Sequence, residues 1–377
     1  MDDKLKMEAL GILVVLILCI AMVIGSNLIF ENSYLPDKIN RNVQYYKAEV
    51  IEIISENLQT DSGEFSLGKQ ELKIQFAEGP YIGQQYNISN YVSRLYNIIA
   101  TEGKYLVIAC YISNDAIAEM SVYNHYRFNF IMILVLLFFV LIIWVGKFKG
   151  LRSVISLIFT GITVVYLMLP LLLRGMAPIV AALIVVFLST LVTLCLVGGF
   201  SKKTFNAVIG TLAGVIVATV VAYVFGKLAN LSGATMEETE ALLYVSETSG
   251  LKIKGLLFAG ILITSLGAVM DVAMSIASAM HEFIAVNPDL STKELAHSGM
   301  AVGTDMIGTM TNTLILALAG GTLNNFILIF AADMDTVQML NMDMLCVEIL
   351  QALAGSVGIV LTVPLTVWCG CMLYRRR

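Results

Sequence analysis

Long apolar runs separated by short charged connections set the pattern of this chain. Leu10 to Phe30 is apolar throughout, and so are Phe128 to Val145, Leu151 to Leu173, Pro178 to about Val197 and Ala207 to Leu228. Each approaches the roughly 20 residues that a helix needs to cross a bilayer. Pro178 opens its run at a first-turn position, where a missing N–H costs nothing. A sixth helix starts near Gly255 and extends to Glu282, and a seventh begins at the capping box Ser291-Thr292-Lys293-Glu294 and ends at Gly320-Gly321. An eighth covers Met344 to Tyr374. Asn324 to Asp333 is too short to span and reads as interfacial or re-entrant, while Ala229 to Lys254, with Glu237-Glu238-Thr239-Glu240, reads as carrying a short amphipathic surface helix. About eight crossings follow from these lengths.

Residues 31–126 interrupt the apolar pattern. Tyr46 to Ser55, Glu71 to Phe76, Tyr105 to Ser113 and Ile117 to Tyr123 are β-branched and aromatic runs parted by Asp61-Ser62-Gly63, Glu78-Gly79-Pro80 and Glu102-Gly103-Lys104. Short strands at this spacing predict a small antiparallel barrel or sandwich, an OB-type barrel among the options. The fold class expected is therefore an all-α polytopic membrane bundle with a small extracytoplasmic β domain. Residues 1–30 form the first transmembrane helix, 31–126 the β domain and 127–377 a seven-helix bundle. Gly25 and Ser26 are small enough for a signal cleavage site, but the apolar core is longer than a signal core, which favours an uncleaved anchor.

Composition supports the membrane reading, with 58% hydrophobic against 14% charged residues and a mean hydropathy of +0.83. No basic stripe interleaved with aromatics appears, so nucleic acid is not an expected partner. The lipid bilayer is. Six scattered cysteines give no disulfide framework, and Cys369-x-Cys371 has no His nearby to suggest a metal. No cofactor is expected. Lys147, Lys149 and Arg152, Lys202 and Lys203, and Arg375 to Arg377 fall on one side of an eight-helix threading, which the positive-inside rule makes cytoplasmic. Both termini then lie in the cytoplasm of a plasma-membrane protein, with 31–126 outside.

Candidate chemistry lies between Thr264 and Asn312, where Asp271 and Asp305 stand inside apolar segments. Ionisable groups at membrane depth are expensive and point to function. Counting along antiparallel helices sets the two at one depth. Thr264, Gly267, Asp271, Ser275, Ser278 and Glu282 recur every three or four residues, as do Asp305, Gly308, Thr309, Asn312 and Thr313, and Glu348, Gln351, Gly355, Gly358 and Thr362. Asp271 and Asp305 with Thr264, Ser275, Thr309 and Asn312 form the expected ion or proton site, with Glu348 and Gln351 on the outer approach. Two carboxylates close together in low dielectric need a shared proton or a cation. If a cation is bound, those two aspartates are its ligands, with hard oxygen donors around them. The competing explanation for the hydroxyls is glue between helices.

The segments GAVMDVAMSIASA (Gly267 to Ala279) and DMIGTMTNTLILA (Asp305 to Ala317) resemble the two signature segments of the YibE/F-like family of multi-pass membrane proteins. The resemblance extends to GLRS at Gly150 and to LPLLLRGMAP at Leu169 to Pro178, and so spans roughly Arg127 to the end. It is to the longer, YibE-like form, which implies an outer segment before the bundle and a YibF-like partner in the same membrane, with a homo-oligomer as the other option. The function expected is a transporter or permease subunit moving a cation or a proton-coupled solute. The alternative is an assembly or sensing scaffold whose outer domain binds a ligand or partner. An enzyme is not expected: the Tyr-Asp and Gly-x-Gly-Asp contexts of paired-aspartate proteases are absent from Met270-Asp271 and Gly303-Thr304-Asp305.

Overall fold

The computed structural model describes residues 2–31, 43–61, 65–113, 116–231 and 239–375. It divides into two compact units, Pro36–Leu141 and the rest, Met1–Leu35 with Ile142–Arg377.

The smaller unit is built on β1 (Val43–Asp61), β2 (Phe65–Phe76), β3 (Gln85–Val92), β4 (Tyr105–Ser113) and β5 (Ala116–His125). They form one antiparallel sheet in the order β3-β2-β1-β4-β5. Irregular register between Val50 and Glu52 and again between Ile53 and Ser55 bends β1, as bulges do, so the sheet curls and β3 approaches β5. Period-two alternation points Leu72, Ile74 and Phe76 inward against Val50, Leu106 and Ile108. Gln70 continues the inward row and is fully buried. Its amide is fully used: Nε2 donates to Glu56 Oε2 at 2.7 Å and to the Ala100 carbonyl at 3.2 Å, while Oε1 accepts from Asn90 Nδ2 at 3.0 Å and Ala100 N at 2.9 Å. This network ties the β3–β4 connection to the sheet. Burial also pushes the Cys110 thiol up to about 11, which leaves it a protonated packing residue.

Four of the five strands overlap the apolar runs read from sequence. The fifth, β3, escapes that reading because QYNISNYV is mostly polar, with Asn90 facing the core beside Ile88 and Val92. Ser62 and Gly63 of the Asp61-Ser62-Gly63 turn lie outside the described residues, as do Glu237, Glu238, Arg376 and Arg377.

The larger unit is helical. It contains α1 (Asp2–Glu31), the second part of α2 (Phe128–Thr163), α3 (Leu169–Leu173), α4 (Pro178–Gly198), α5 (Lys202–Leu228), α6 (Thr239–Ser249), α7 (Leu256–Val286), α8 (Thr292–Gly321), α9 (Leu323–Ala331), α10 (Thr336–Leu340) and α11 (Asp343–Tyr374). Helix α2 is not continuous. Lys147 takes φ 50° and ψ −127°, and a Cβ at Gly150 would collide with the Ile142 carbonyl. In a straight helix those residues would stand roughly 12 Å apart. The chain thus turns sharply where the basic cluster begins. The third helix expected from sequence is also interrupted: Val164–Met168 winds as a π-helix ahead of Pro170, whose ring offers no N–H to the preceding turn. Ser291 caps α8 with the capping box read from sequence, its side chain accepting from Glu294 N.

An antiparallel seam between α5 and α11 is the closest helix packing. A Cβ at Gly210 would strike Thr366, one at Gly214 would strike Thr362, one at Gly358 would stand 2.8 Å from the Ala218 Cβ, and one at Gly370 would stand 2.8 Å from Asn206 Nδ2. The pairs step by four residues on each helix, so ridges interlock with glycine clearing the crossing. Asn206, Thr211 and Thr366 are fully buried here, and their side-chain polar atoms take no hydrogen bond among the described residues.

Candidate functional site

Helix α7 buries Val269, Val272, Ala273, Ile276 and Met280 within the bundle and leaves Gly260, Thr264, Gly267 and Asp271 exposed. This is the polar stripe read from sequence, and it points out of the bundle. Ser275 and Ser278 flank it, half-buried. Helix α8 is buried along Leu295, Gly299 and Gly303, then Leu314. Gly299 lies against Met280 and Val367, and Gly303 against Ile276 and Val363, so α8 enters between α7 and α11 on its smallest residues.

That packing fixes where the aspartates go. Ile276 opposite Gly303 and Met280 opposite Gly299 define an antiparallel register that sets Asp271 level with Gly308 and Asp305 level with Met274. The two carboxylates are then three residues apart along the axis, roughly 4.5 Å. Their directions differ from the expectation of a shared pocket. Asp305 stands two residues from Gly303, about 200° around the helix, and Asp271 five residues from Ile276, about 140° around it. Both side chains are exposed, and the described residues do not join them as a pair. The physical reason is that only the glycine face of α8 is narrow enough to enter the bundle, which turns the carboxylate face outward.

The remaining sequence candidates divide. Thr264 and Gln351 are brought together, the amide Nε2 donating to Thr264 Oγ1 at 3.2 Å. Thr309 Oγ1 donates to the Met306 carbonyl at 3.1 Å within its own helix, and Asn312 is exposed one turn beyond. Glu348 is half-buried, and its Oε2 takes no hydrogen bond among the described residues. The α11 stripe is not one continuous polar face. Gly355 packs against Leu314 and Ser265, while Gly358 and Thr362 belong to the seam with α5. Among the described residues, no three His, Cys, Asp or Glu side chains come together as a metal site would require.

Sequence reasoning did not single out Asn206, Thr211 or Thr366 as buried polar groups, because nothing in a run such as Lys202–Leu228 tells which side meets a neighbour. The spacing Gly210-x-x-x-Gly214 was the available signal, and it marks the seam they occupy.

Among the described residues, six helical stretches are long and apolar enough to cross a membrane, with Phe128–Leu173 counted as one of them despite its break at Lys147; α8 passes that test only together with α9, which bends from it by 63°. A family model described as YibE/F-like protein matches residues 134–376. No curated protein and no solved structure matches the chain.

Proposed function

The chain belongs to the YibE/F-like family, and on that footing we propose that it is a permease subunit of the plasma membrane, moving a cation or a proton-coupled solute along the outward polar faces of α7 and α8. One observation carries this reading. Thr264, Gly267 and Asp271 on α7, with Asp305, Gly308, Thr309 and Asn312 on α8, remain exposed on helices otherwise fit for hydrocarbon. Lipid tails solvate neither carboxylates nor amides, so such faces call for a watery path or a second protein chain. A YibF-like partner or a second copy of this chain closes the path in this proposal. The carboxylates then take up and release the ion as α7 and α8 shift, with Ser275, Glu348 and Gln351 nearby.

Counting the bent α8–α9 pair as one span and the two sides of the Lys147 break separately gives eight crossings. Both termini are then cytoplasmic and the sheet extracytoplasmic. The strand order β3-β2-β1-β4-β5 supports an OB-like outer domain, since closing β3 on β5 would make a five-stranded partly open barrel. We assign no enzymatic activity and no cofactor.

Flux into sealed vesicles tests the reading. Wild-type protein, reconstituted with any YibF-like partner, is expected to carry protons or divalent cations, and Asp271→Asn with Asp305→Asn to abolish flux at unchanged abundance. Absence of wild-type flux from folded protein sinks the permease. The second reading, a scaffold, is favoured by the open space around Gly267 and Gly308, which leaves room for a helix of another chain to approach. In that case the double variant loses the complex itself.

A further inference from the structure

Two buried side chains in the α5–α11 seam lack partners among the described residues, and their places along it carry a separate inference. Asn206 has both amide atoms unpaired and Thr366 its hydroxyl, each residue fully buried. A buried threonine on a helix commonly returns its hydroxyl to the carbonyl four residues back, as Thr362 does to Gly358 at 2.7 Å and Thr163 to Phe159 at 2.8 Å. Thr366 instead lies against Gly210, and the Asn206 amide against Gly370. Desolvating an amide without giving it a partner is costly.

The spacing of the seam offers both groups a partner. Facing residues run Asn206 with Gly370, Gly210 with Thr366, Gly214 with Thr362 and Ala218 with Gly358, one step of four on each helix. Sliding α11 by one such step toward its C-terminal end, roughly 6 Å, sets Thr366 opposite Asn206. Thr362 then meets Gly210 and Gly358 meets Gly214, so a glycine still clears each crossing. Sliding the other way puts Thr366 against Gly214 and gives it no polar partner. Helices α7 and α8 can accompany α11, because Met280 lies against Gly370, while Ile276 and Val363 both lie against Gly303. On the α5 side of α7, Val269 against Gly214 then gives way to Ser265, a smaller side chain. Opposing the step, Lys202 Nζ donates to the Leu373 carbonyl at 3.5 Å and lies 5.9 Å from the Tyr374 ring centroid, contacts that hold the observed register.

We propose that the α5–α11 seam is a two-position ratchet: in the observed register Lys202 clamps the end of α11, and in a second register, one turn along, Asn206 pairs with Thr366. The step moves Asp271 and Asp305 by the same distance relative to α5. That consequence for transport rests on the permease reading, whereas the ratchet itself does not.

Disulfide trapping in the full chain in lipid vesicles, each bridge identified by peptide mass spectrometry, tests the ratchet. Ala222→Cys with Ala354→Cys joins two buried positions of one cluster that face each other in the observed register. Ala218→Cys with Ala354→Cys joins positions that face only after the step and are otherwise a turn apart along the seam, beyond the roughly 7 Å between Cα atoms that a disulfide spans. Both bridges are expected to form. Thr366→Val is expected to cut the yield of the second bridge about fivefold and Thr366→Ser to restore it, with the first bridge persisting in each. Lys202→Ala is expected to raise the second bridge by a similar factor. Because valine matches threonine in shape, Thr366→Val reads the hydroxyl alone and decides the matter even if Lys202→Ala fails to fold. Absence of either bridge, or a second-bridge yield equal in Thr366→Val and the parent pair, overturns the ratchet. No flux enters these readouts, so failure of the permease reading is distinguishable from failure of this one.

Discussion

Gly210 and Gly214 on α5 and Gly267 and Gly308 on α7 and α8 look alike as sequence, small residues among apolar ones within crossing-length segments. Their surroundings are opposite. At the first pair an added Cβ would collide with Thr366 and Thr362 of α11; at the second it would meet nothing within 4 Å. The polar groups divide the same way, with Asn206, Thr211 and Thr366 sealed inside the seam and Asp271, Asp305 and Asn312 exposed. The seam is filled by α11 of the same chain, whereas among the described residues nothing covers Gly267 and Gly308. What separates the two pairs is whether a neighbouring helix of this chain approaches closely enough to need glycine.

The largest effect expected from this contrast comes from enlarging each glycine. Gly214→Leu forces α5 off α11 and is expected to cost about 3 kcal/mol or more, seen as loss of monodisperse protein in size-exclusion chromatography and a collapsed melting midpoint. Gly267→Leu has room and is expected to change the midpoint of the isolated chain by less than about 0.5 kcal/mol, while impairing any complex formed through that face. Equal damage from both would break the distinction.

Polar groups sharpen it at intermediate size. Gln70 in the outer sheet is buried with all its bonds made, and Thr366 in the seam is buried with none among the described residues. Gln70→Ala leaves Asn90 and the Ala100 N–H without their acceptor and is expected to cost about 2–3 kcal/mol, measured by faster maleimide uptake at Cys110 under mild denaturant. Thr366→Val deletes only a desolvated hydroxyl, so its midpoint is expected to stay or rise by up to about 1 kcal/mol. A large loss from Thr366→Val would show that the hydroxyl is engaged in the seam.

The smallest effect is a pH dependence confined to the outer unit. Burial, with the Arg127 charge adding repulsion, holds the His125 imidazole below its usual 6.5. The unfolded chain then binds the proton more readily, so the contribution is whole above about 6.5 and is lost as pH falls through that value toward the folded pKa. Glu71, held low by Lys69 and then by Ser89, acts in the same direction but below its usual 4.5, in a separate window. Cys110 protection followed from about pH 7.5 to about pH 5.5 is expected to weaken in wild type and stay level in His125→Asn.

Much of the fold was legible because bilayer length and period-two alternation leave plain marks. The limits of α4, α8 and α11, the capping box at Ser291 and the strand β4 all follow from local pattern. Strand β3 was hidden because its inward row includes Asn90, which is tolerable only once Gln70 and the Ile98 carbonyl receive its amide. The break at Lys147 left a basic cluster and a nearby glycine as its signal, but the π turn at Val164–Met168 left only Pro170.

At the candidate site, sequence determined which residues share a helical face, because 3.6 residues per turn is fixed by the backbone. It therefore placed Thr264, Gly267 and Asp271 together on one stripe, and Asp305, Thr309 and Asn312 on another. It also set the two aspartates within a turn of the same level, since rise per residue is equally fixed. Only the tertiary structure decided how each helix is rotated about its axis. That rotation depends on which face packs closest, and Gly299 and Gly303 took the inner position against Met280, Ile276 and Val363. The carboxylates were left facing outward as a consequence.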